Sequence, residues 1–216
     1  QADTYQLHLA NSVWFTTHDR FTVKEDFLQT NADYYQADIY AAAFDDATLS
    51  DINQWVKDKT DGRIPHILDE IPYDAIIYLV NALAFDAKWE KEYEKYQVME
   101  EIFTTQEGQK QDIEIMHSEE GLYLEDKNTT GFIKYYDEQK YAFVGLLPKE
   151  HLTLEEYVLS LTGESIYQLL SQPQEIPVYT GIPKFESEYS VAMENVLKEM
   201  GMTDAFDNSK ADLSGL

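Results

Sequence analysis

The 216-residue chain contains no cysteine, which removes disulfide bonds, thiol nucleophiles and cysteine-zinc sites from consideration. Basic residues are also scarce, since 16 Lys and Arg stand against 41 Asp and Glu, for a formal net charge of −25. So acidic a chain lacks the Lys and Arg clusters that bind phosphate, which argues against a nucleic-acid partner and against an anionic membrane surface. No apolar run reaches the roughly 18 residues of a membrane span, and we expect no membrane insertion.

Recognisable catalytic motifs are absent from the sequence as well. The nine glycines occur singly, no Gly-x-Ser-x-Gly elbow is present, and none of the five His belongs to a His-Glu-x-x-His motif. His117, Glu119, Glu120 and Asp126 are a conceivable hard-cation site, and adjacent acids are a conceivable glycoside hydrolase pair. Because 41 acidic residues make such groupings common, solvated surface is the better interpretation. We predict no enzyme activity, no metal and no cofactor.

What the chain does have is enough apolar material for a core, with 44% hydrophobic and 13% aromatic residues. The length suits one large domain or two small ones, and we predict the class α+β, because strands and helices are followed by a β-rich block and then by helices. The predicted strands span residues 5–15, 37–44, 75–90, 141–147 and an extended segment at 176–189, and the strand at 141–147 should be buried. More strands lie between 100 and 140, separated by turn residues at 107–108, 120–121, 128 and 137–138. The predicted helices span residues 23–35, 48–59, 153–161, 164–170 and 190–200, and the last of these should begin at a Ser190 cap and end before Gly201.

The clearest helix is that at 48–59. Ile52, Trp55 and their neighbours form one apolar face, and Thr48 or Ser50 is the expected N-cap. Gly62 follows at a natural C-terminal position. This pattern predicts an amphipathic helix lying on other apolar elements.

The segment 75–90 is the most informative part of the chain. Its unbroken apolar run predicts a strand that is buried on both faces. Asn81 interrupts this run, so we expect its amide to have buried hydrogen-bond partners. A Lys-Trp pair, Lys88 and Trp89, closes the strand.

Several motifs of the chain resemble those of the serpins, a family of serine protease inhibitors. Residues 80–90, VNALAFDAKWE, are similar to the family's VNAIYFKGKWE strand, and residues 52–64, INQWVKDKTDGRI, to the INxWVexxTxGkI signature of its F helix. Further similarities, in family order, lie at residues 9–15 (LANSVWF), 132–136 (FIKYY), 143–148 (FVGLLP), 182–185 (IPKF), 197–206 (LKEMGMTDAF) and 211–215 (ADLSG).

This resemblance implies a fold with a large mixed or antiparallel central sheet crossed by helices, with smaller sheets beside it. It also implies a suicide substrate: a target serine (or cysteine) protease cuts an exposed loop, which then inserts into the central sheet and traps the acyl-enzyme. The resemblance further implies a secreted, monomeric protein. The alternative is a non-inhibitory serpin used as a carrier, chaperone or binding module.

The resemblance also implies roles for three residues. Trp89 and Lys88 correspond to the breach, where loop insertion begins, and Asn81 corresponds to the shutter, a polar network that controls strand separation. These would be gating residues and not catalytic ones. The family's Lys and Gly before the Lys-Trp pair are Asp86 and Ala87 here, which changes the charge at the breach.

The resemblance implies that residues 1–216 belong to a single serpin domain and are the central part of a longer chain. We therefore expect the reactive bond to lie outside these residues. We also expect the isolated segment to lack a compact native state, because its sheet would have an open edge.

Overall fold

A computed structural model describes residues 4–18, 21–187, 191, 193–207 and 209–216. Strands and helices come first, a block of strands follows, and helices return, which confirms the α+β class. The strands of the described residues are β1 (Tyr5–Thr16), β2 (Asp38–Ala42), β3 (Ile77–Ala87), β4 (Val98–Thr104), β5 (Lys110–Glu120), β6 (Leu122–Glu125), β7 (Thr129–Tyr135), β8 (Ala142–Pro148) and β9 (Val178–Pro183). The α-helices are α1 (Glu25–Tyr35), α2 (Asp46–Lys59), α3 (Leu154–Ser160), α4 (Gly163–Leu170) and α5 (Glu194–Glu199). Each helix of these ranges is too short or too polar to cross a lipid bilayer.

The chain divides into two compact units. The first, here called the β-rich unit, comprises Gln1–Tyr5 and Ala87–Glu188. The second, here called the helix-covered unit, comprises Gln6–Asp86 and Tyr189–Leu216.

In the helix-covered unit, α2 packs on a three-stranded sheet of order β2-β1-β3. Strands β1 and β2 run parallel, with Val13 opposite Ile39. The core between helix and sheet consists of buried residues of α2, β1 and β3: Trp14, Ile52, Trp55, Val56, Val80 and Ala82. The apolar face predicted for the helix is therefore the face that it buries.

Helix α2 begins two residues earlier than predicted. Its N-cap is Asp45, whose carboxylate accepts from the backbone N–H of Thr48 at 3.0 Å, so the expected cap at Thr48 or Ser50 is wrong. Thr48 is instead buried in the first turn. The helix ends as expected, because Gly62 adopts a φ of +77° and its N–H reaches the carbonyl of Lys57 at 2.7 Å.

Strand β3 is an edge strand of this sheet and is buried on one face only. Val80, Ala82 and Ala84 are buried, whereas Leu79 and Leu83 are 61% and 57% exposed. The expectation of burial on both faces is therefore wrong for the described residues. The sequence is apolar on both sides of the strand, but α2 covers only one of them.

The β-rich unit contains two antiparallel three-stranded sheets. Their strand orders are β4-β5-β9 and β6-β7-β8. Turns join the strands at the predicted positions, and Gly108, with a φ of +80°, lies in the turn between β4 and β5. The buried strand expected at 141–147 is observed as β8, but it is only partly buried and Leu147 is 68% exposed. Together with β7 and β9, it lines an open, largely apolar groove of about 1020 Å³.

Shorter elements follow the sequence pattern with small shifts. Helix α3 lies within the predicted 153–161, and α4 begins one residue before the predicted 164–170; both begin with a capping box. The helix predicted at 190–200 is observed as α5, and its expected cap, Ser190, lies outside the described residues. Gly201, with a φ of +102°, follows the helix as predicted.

Candidate functional site

Trp89 lies just after β3 and is surrounded by aromatic rings of the β-rich unit. Its indole stacks on Tyr136, with ring centroids 4.4 Å apart and planes 9° from parallel. Phe143 and Tyr93 meet it edge to face, at 5.9 Å and 6.4 Å. Offset stacked and edge-to-face pairs are the favoured aromatic geometries. The half-buried Trp89 is thus held by three rings from separate parts of the unit.

Backbone hydrogen bonds fix the chain on both sides of this indole. The N–H of Lys88 donates to the carbonyl of Thr4 at 2.9 Å, and the carbonyl of Lys88 accepts from Asp137 at 2.9 Å. The N–H of Glu90 donates to Tyr135 at 3.1 Å. The Lys88 side chain itself is exposed, so this residue contributes to the site mainly through its main chain.

Beneath the aromatic rings lies a charged residue that the sequence analysis did not single out. The Lys134 side chain is 2% exposed, and its Nζ lies 2.7 Å from Glu120 Oε1. The same Nζ lies 5.4 Å from the centroid of the Trp89 ring and 4.7 Å from that of Tyr93. The available signal was a single Lys inside the apolar run at 132–136, a position where a charge requires a partner.

Burial also affects the phenols of this cluster. It raises the pKa of Tyr93 above the usual range of tyrosine, and the negative charge of Glu120 adds to this effect. Burial raises the pKa of Tyr136 as well. Both rings therefore stay neutral around Trp89 at ordinary pH.

Asn81 lies in a different environment, in the helix-covered unit. Its Nδ2 donates to Asn11 Oδ1 at 2.7 Å, and Asn11 Nδ2 donates to the carbonyl of Tyr35 at the end of α1, at 2.8 Å. This amide ladder crosses from β3 to β1 beside a small pocket of about 140 Å³. Asn81 has the hydrogen-bond partner that was expected, but it is exposed, so the expectation that the network is buried is wrong for the described residues.

Asp86, which stands where the resemblance expected Lys, has a basic partner. Arg63 Nη2 lies 2.6 Å from Asp86 Oδ2 and also donates to Gln6 Oε1 at 2.8 Å. Arg63 belongs to the segment between α2 and β3. The carboxylate at this position therefore has an ion-pair partner within the helix-covered unit.

The residues considered for a cation site have other partners. His117 Nε2 lies 2.7 Å from Glu101 Oε1, and Glu120 is paired with Lys134. Over the described ranges, no group of three or more His, Asp or Glu side chains has the geometry to hold a metal ion.

Comparisons with known proteins match the whole chain. The family model for serpins (serine protease inhibitors) covers residues 1–216. The chain is 28% identical over 222 residues to an uncharacterised serpin-like protein of Methanosarcina acetivorans, covering 100% of this chain and 52% of that protein. It is 29% identical over 224 residues to human Serpin B10, covering 99% of this chain and 56% of that protein. The chain thus spans about half the length of the curated relatives it matches.

Solved serpin structures also match the whole chain. The thermophilic serpin tengpin is 47% identical to the chain in both its latent and its native state, with TM-scores of 0.93 and 0.92. The match covers 100% of this chain and 59% or 56% of those structures. Emu ovalbumin, at 23% identity and a TM-score of 0.90, supports the fold alone. The class of protein is therefore an α+β protein with the serpin fold, and the chain belongs to the serpin family.

Proposed function

We propose that the protein to which this chain belongs is a serine protease inhibitor that works as a suicide substrate. Its exposed loop is cut by a target protease, and the loop inserts into the sheet that contains β3 before the acyl-enzyme is hydrolysed. Membership of the family supports inhibition rather than catalysis as the class of activity.

The observation that carries this proposal is the state of β3. It is an edge strand among the described residues, so one row of its backbone groups faces no neighbouring strand of this sheet. Its outer face also exposes Leu79, Leu83 and Phe85. A strand added at such an edge gains main-chain hydrogen bonds and buries apolar side chains, and both effects favour insertion.

Three residues have proposed gating roles in this mechanism. Trp89 and Lys88 control the first step of loop insertion. The ring contacts of Trp89 support that role, because they must rearrange if β3, which ends two residues before Trp89, moves. Asn81 controls strand separation through its bond to Asn11, which joins β3 to β1.

The remaining parts of the proposal depend on family resemblance alone. We propose a single domain, a monomer and an extracellular location. The named relatives, such as Serpin B10 and Serpin I2, do not assign a compartment to this chain, so secretion has no support from them.

The test uses the full-length protein and a panel of serine proteases. We expect an SDS-stable covalent complex with at least one protease, and a gain in thermal stability after the exposed loop is cut by a protease that is not trapped. A protein that forms no such complex and gains no stability on loop cleavage contradicts inhibition. That result favours use as a carrier, chaperone or binding module.

A further inference from the structure

The starting observation is the burial of Lys134. This residue lies in β7, within the apolar sequence FIKYY at 132–136, and its side chain is 2% exposed. Removing an ammonium group from water is costly unless a counter-charge and hydrogen bonds compensate. The contacts of Lys134 therefore show which groups compensate the burial of its charge.

Its counter-charge is Glu120, the last residue of β5, whose side chain is 10% exposed. The 2.7 Å contact joins the sheet of β5 to the sheet of β7 within the β-rich unit. The same carboxylate oxygen accepts from Ser118 Oγ at 2.6 Å, and Ser118 Oγ lies 3.0 Å from Thr180 Oγ1 of β9. The pair is thus supported by a short chain of hydroxyl groups.

The ammonium also lies over two aromatic rings. Its distances of 5.4 Å to the Trp89 centroid and 4.7 Å to the Tyr93 centroid are within the range of cation–π attraction. Trp89 therefore has a charged contact in addition to its stacked contact with Tyr136. Because Glu120 fixes the ammonium, it also fixes the charge over the indole.

We propose that Lys134 is a positioning residue for Trp89, and that the buried Lys134–Glu120 pair takes part in gating by holding the indole in one place. The gating part rests on the proposed inhibitory function, whereas the positioning part does not. The physical reason is that an apolar side chain in place of Lys134 could fill the same space but would remove the charged contact that the indole has in addition to its ring contacts.

The experiment compares four variants of the full-length protein labelled with 5-fluorotryptophan. Lys134→Met and Glu120→Gln each remove one charge, the double variant removes both, and Lys134→Arg keeps a cation. The fluorine resonance of Trp89 is assigned by its loss in Trp89→Phe. The matched control is Lys149→Met/Glu125→Gln, which removes an equally short pair of 2.7 Å whose side chains are 29% and 42% exposed.

We expect each single charge removal to lower the melting temperature by about 5–10 °C, because the remaining charge is buried without its partner. The double variant should recover most of this loss. The Trp89 resonance should nevertheless be shifted or broadened in the two variants that carry Met at position 134, and it should stay near its original position in Lys134→Arg and in the control.

An unchanged Trp89 resonance in the double variant overturns the proposal, because Lys134 is then only a structural residue. A resonance displaced as far by Lys134→Arg as by Lys134→Met also overturns it, because the charge is then not what holds the ring. The gating part predicts at least about a twofold change in the stoichiometry of inhibition for the double variant. If the unmodified protein traps no protease, the proposed function fails while the resonances still decide the positioning of Trp89.

Discussion

Trp89 and Asn81 differ in how many contacts the described residues make with them. Three aromatic rings and a buried ammonium group contact Trp89, all from the β-rich unit. Asn81 is exposed and has one side-chain partner, Asn11, which is itself bonded to the end of α1. One candidate gating residue therefore lies in a dense cluster, and the other lies on an open face of β3.

This difference shows that the same kind of sequence signal can have two structural outcomes. An apolar strand with a polar or aromatic interruption predicts burial, but burial requires another element to cover the strand. For Trp89 the covering elements are close in the same unit, whereas only one face of β3 is covered by α2. The predictions below test how far this contrast extends in the longer protein.

The largest effect is expected when residues 1–216 are produced alone. The chain exposes 15874 Å² of surface, whereas a folded monomer of 25.1 kDa is expected to expose only about 10,000 Å². We expect strong binding of a hydrophobic dye and no sharp unfolding transition on heating. The full-length protein is the control and should bind little dye, whereas a cooperative melt of the segment would show that the open face of β3 is an ordinary surface.

Trp89→Ala should have the next largest effect in the full-length protein. Loss of the indole removes the stacking on Tyr136 and leaves space between the rings, which should lower stability by about 3 kcal/mol. Thermal unfolding measures the effect, and Trp89→Phe should recover part of it. If Trp89→Ala melts within about 1 °C of the unmodified protein, the ring contacts do not stabilise the cluster.

Much of the fold could be predicted from sequence because periodicity and turn residues act locally. The apolar face of α2 and the turn at Gly108 follow from spacing and backbone preference. The cap at Asp45 was missed because several residues near the helix start could accept the same hydrogen bond. The exposure of Leu83 was missed because an apolar strand does not reveal which of its faces has a neighbour.

The candidate site was only partly predictable. Family resemblance pointed to Trp89, Lys88 and Asn81, since their motif is local in sequence. Lys134 was not identified, because its partner Glu120 lies 14 residues away on another sheet and the pairing depends on how the strands meet. Asp86 was recognised as a departure from the family, but its ion pair with Arg63 could be identified only from the structure.

A double-mutant cycle on Asn81 and Asn11 should give a smaller effect. In the described residues the bond between them is exposed, so we expect a coupling energy of at most about 1 kcal/mol. Asn81→Ala, Asn11→Ala and the double variant are compared by thermal unfolding of the full-length protein. A coupling well above that value would show that the ladder is buried in the longer protein, so that its environment resembles that of Trp89 after all.

The smallest effect concerns Asp38, a residue of β2 whose side chain contacts α2 in the helix-covered unit. Its carboxylate contacts Lys59 Nζ at 2.8 Å and accepts from the Trp55 indole at 2.9 Å. The hydrogen bond with Lys59, followed by that with Trp55, lowers the pKa of Asp38. The folded state therefore favours the ionised carboxylate.

The sign of the pH dependence follows from this lowered pKa. The stabilisation is fully present above the unfolded pKa of about 3.9 and is lost as the pH falls from there through the lower folded value. Asp38→Asn should cost about 1 kcal/mol or less at pH 7, because both charged side chains are partly exposed. The melting temperatures of the two proteins should therefore begin to approach each other as the pH is lowered below about 4. If the difference between the melting temperatures of Asp38→Asn and the unmodified protein does not change with pH, Asp38 is not a titrating link between sheet and helix.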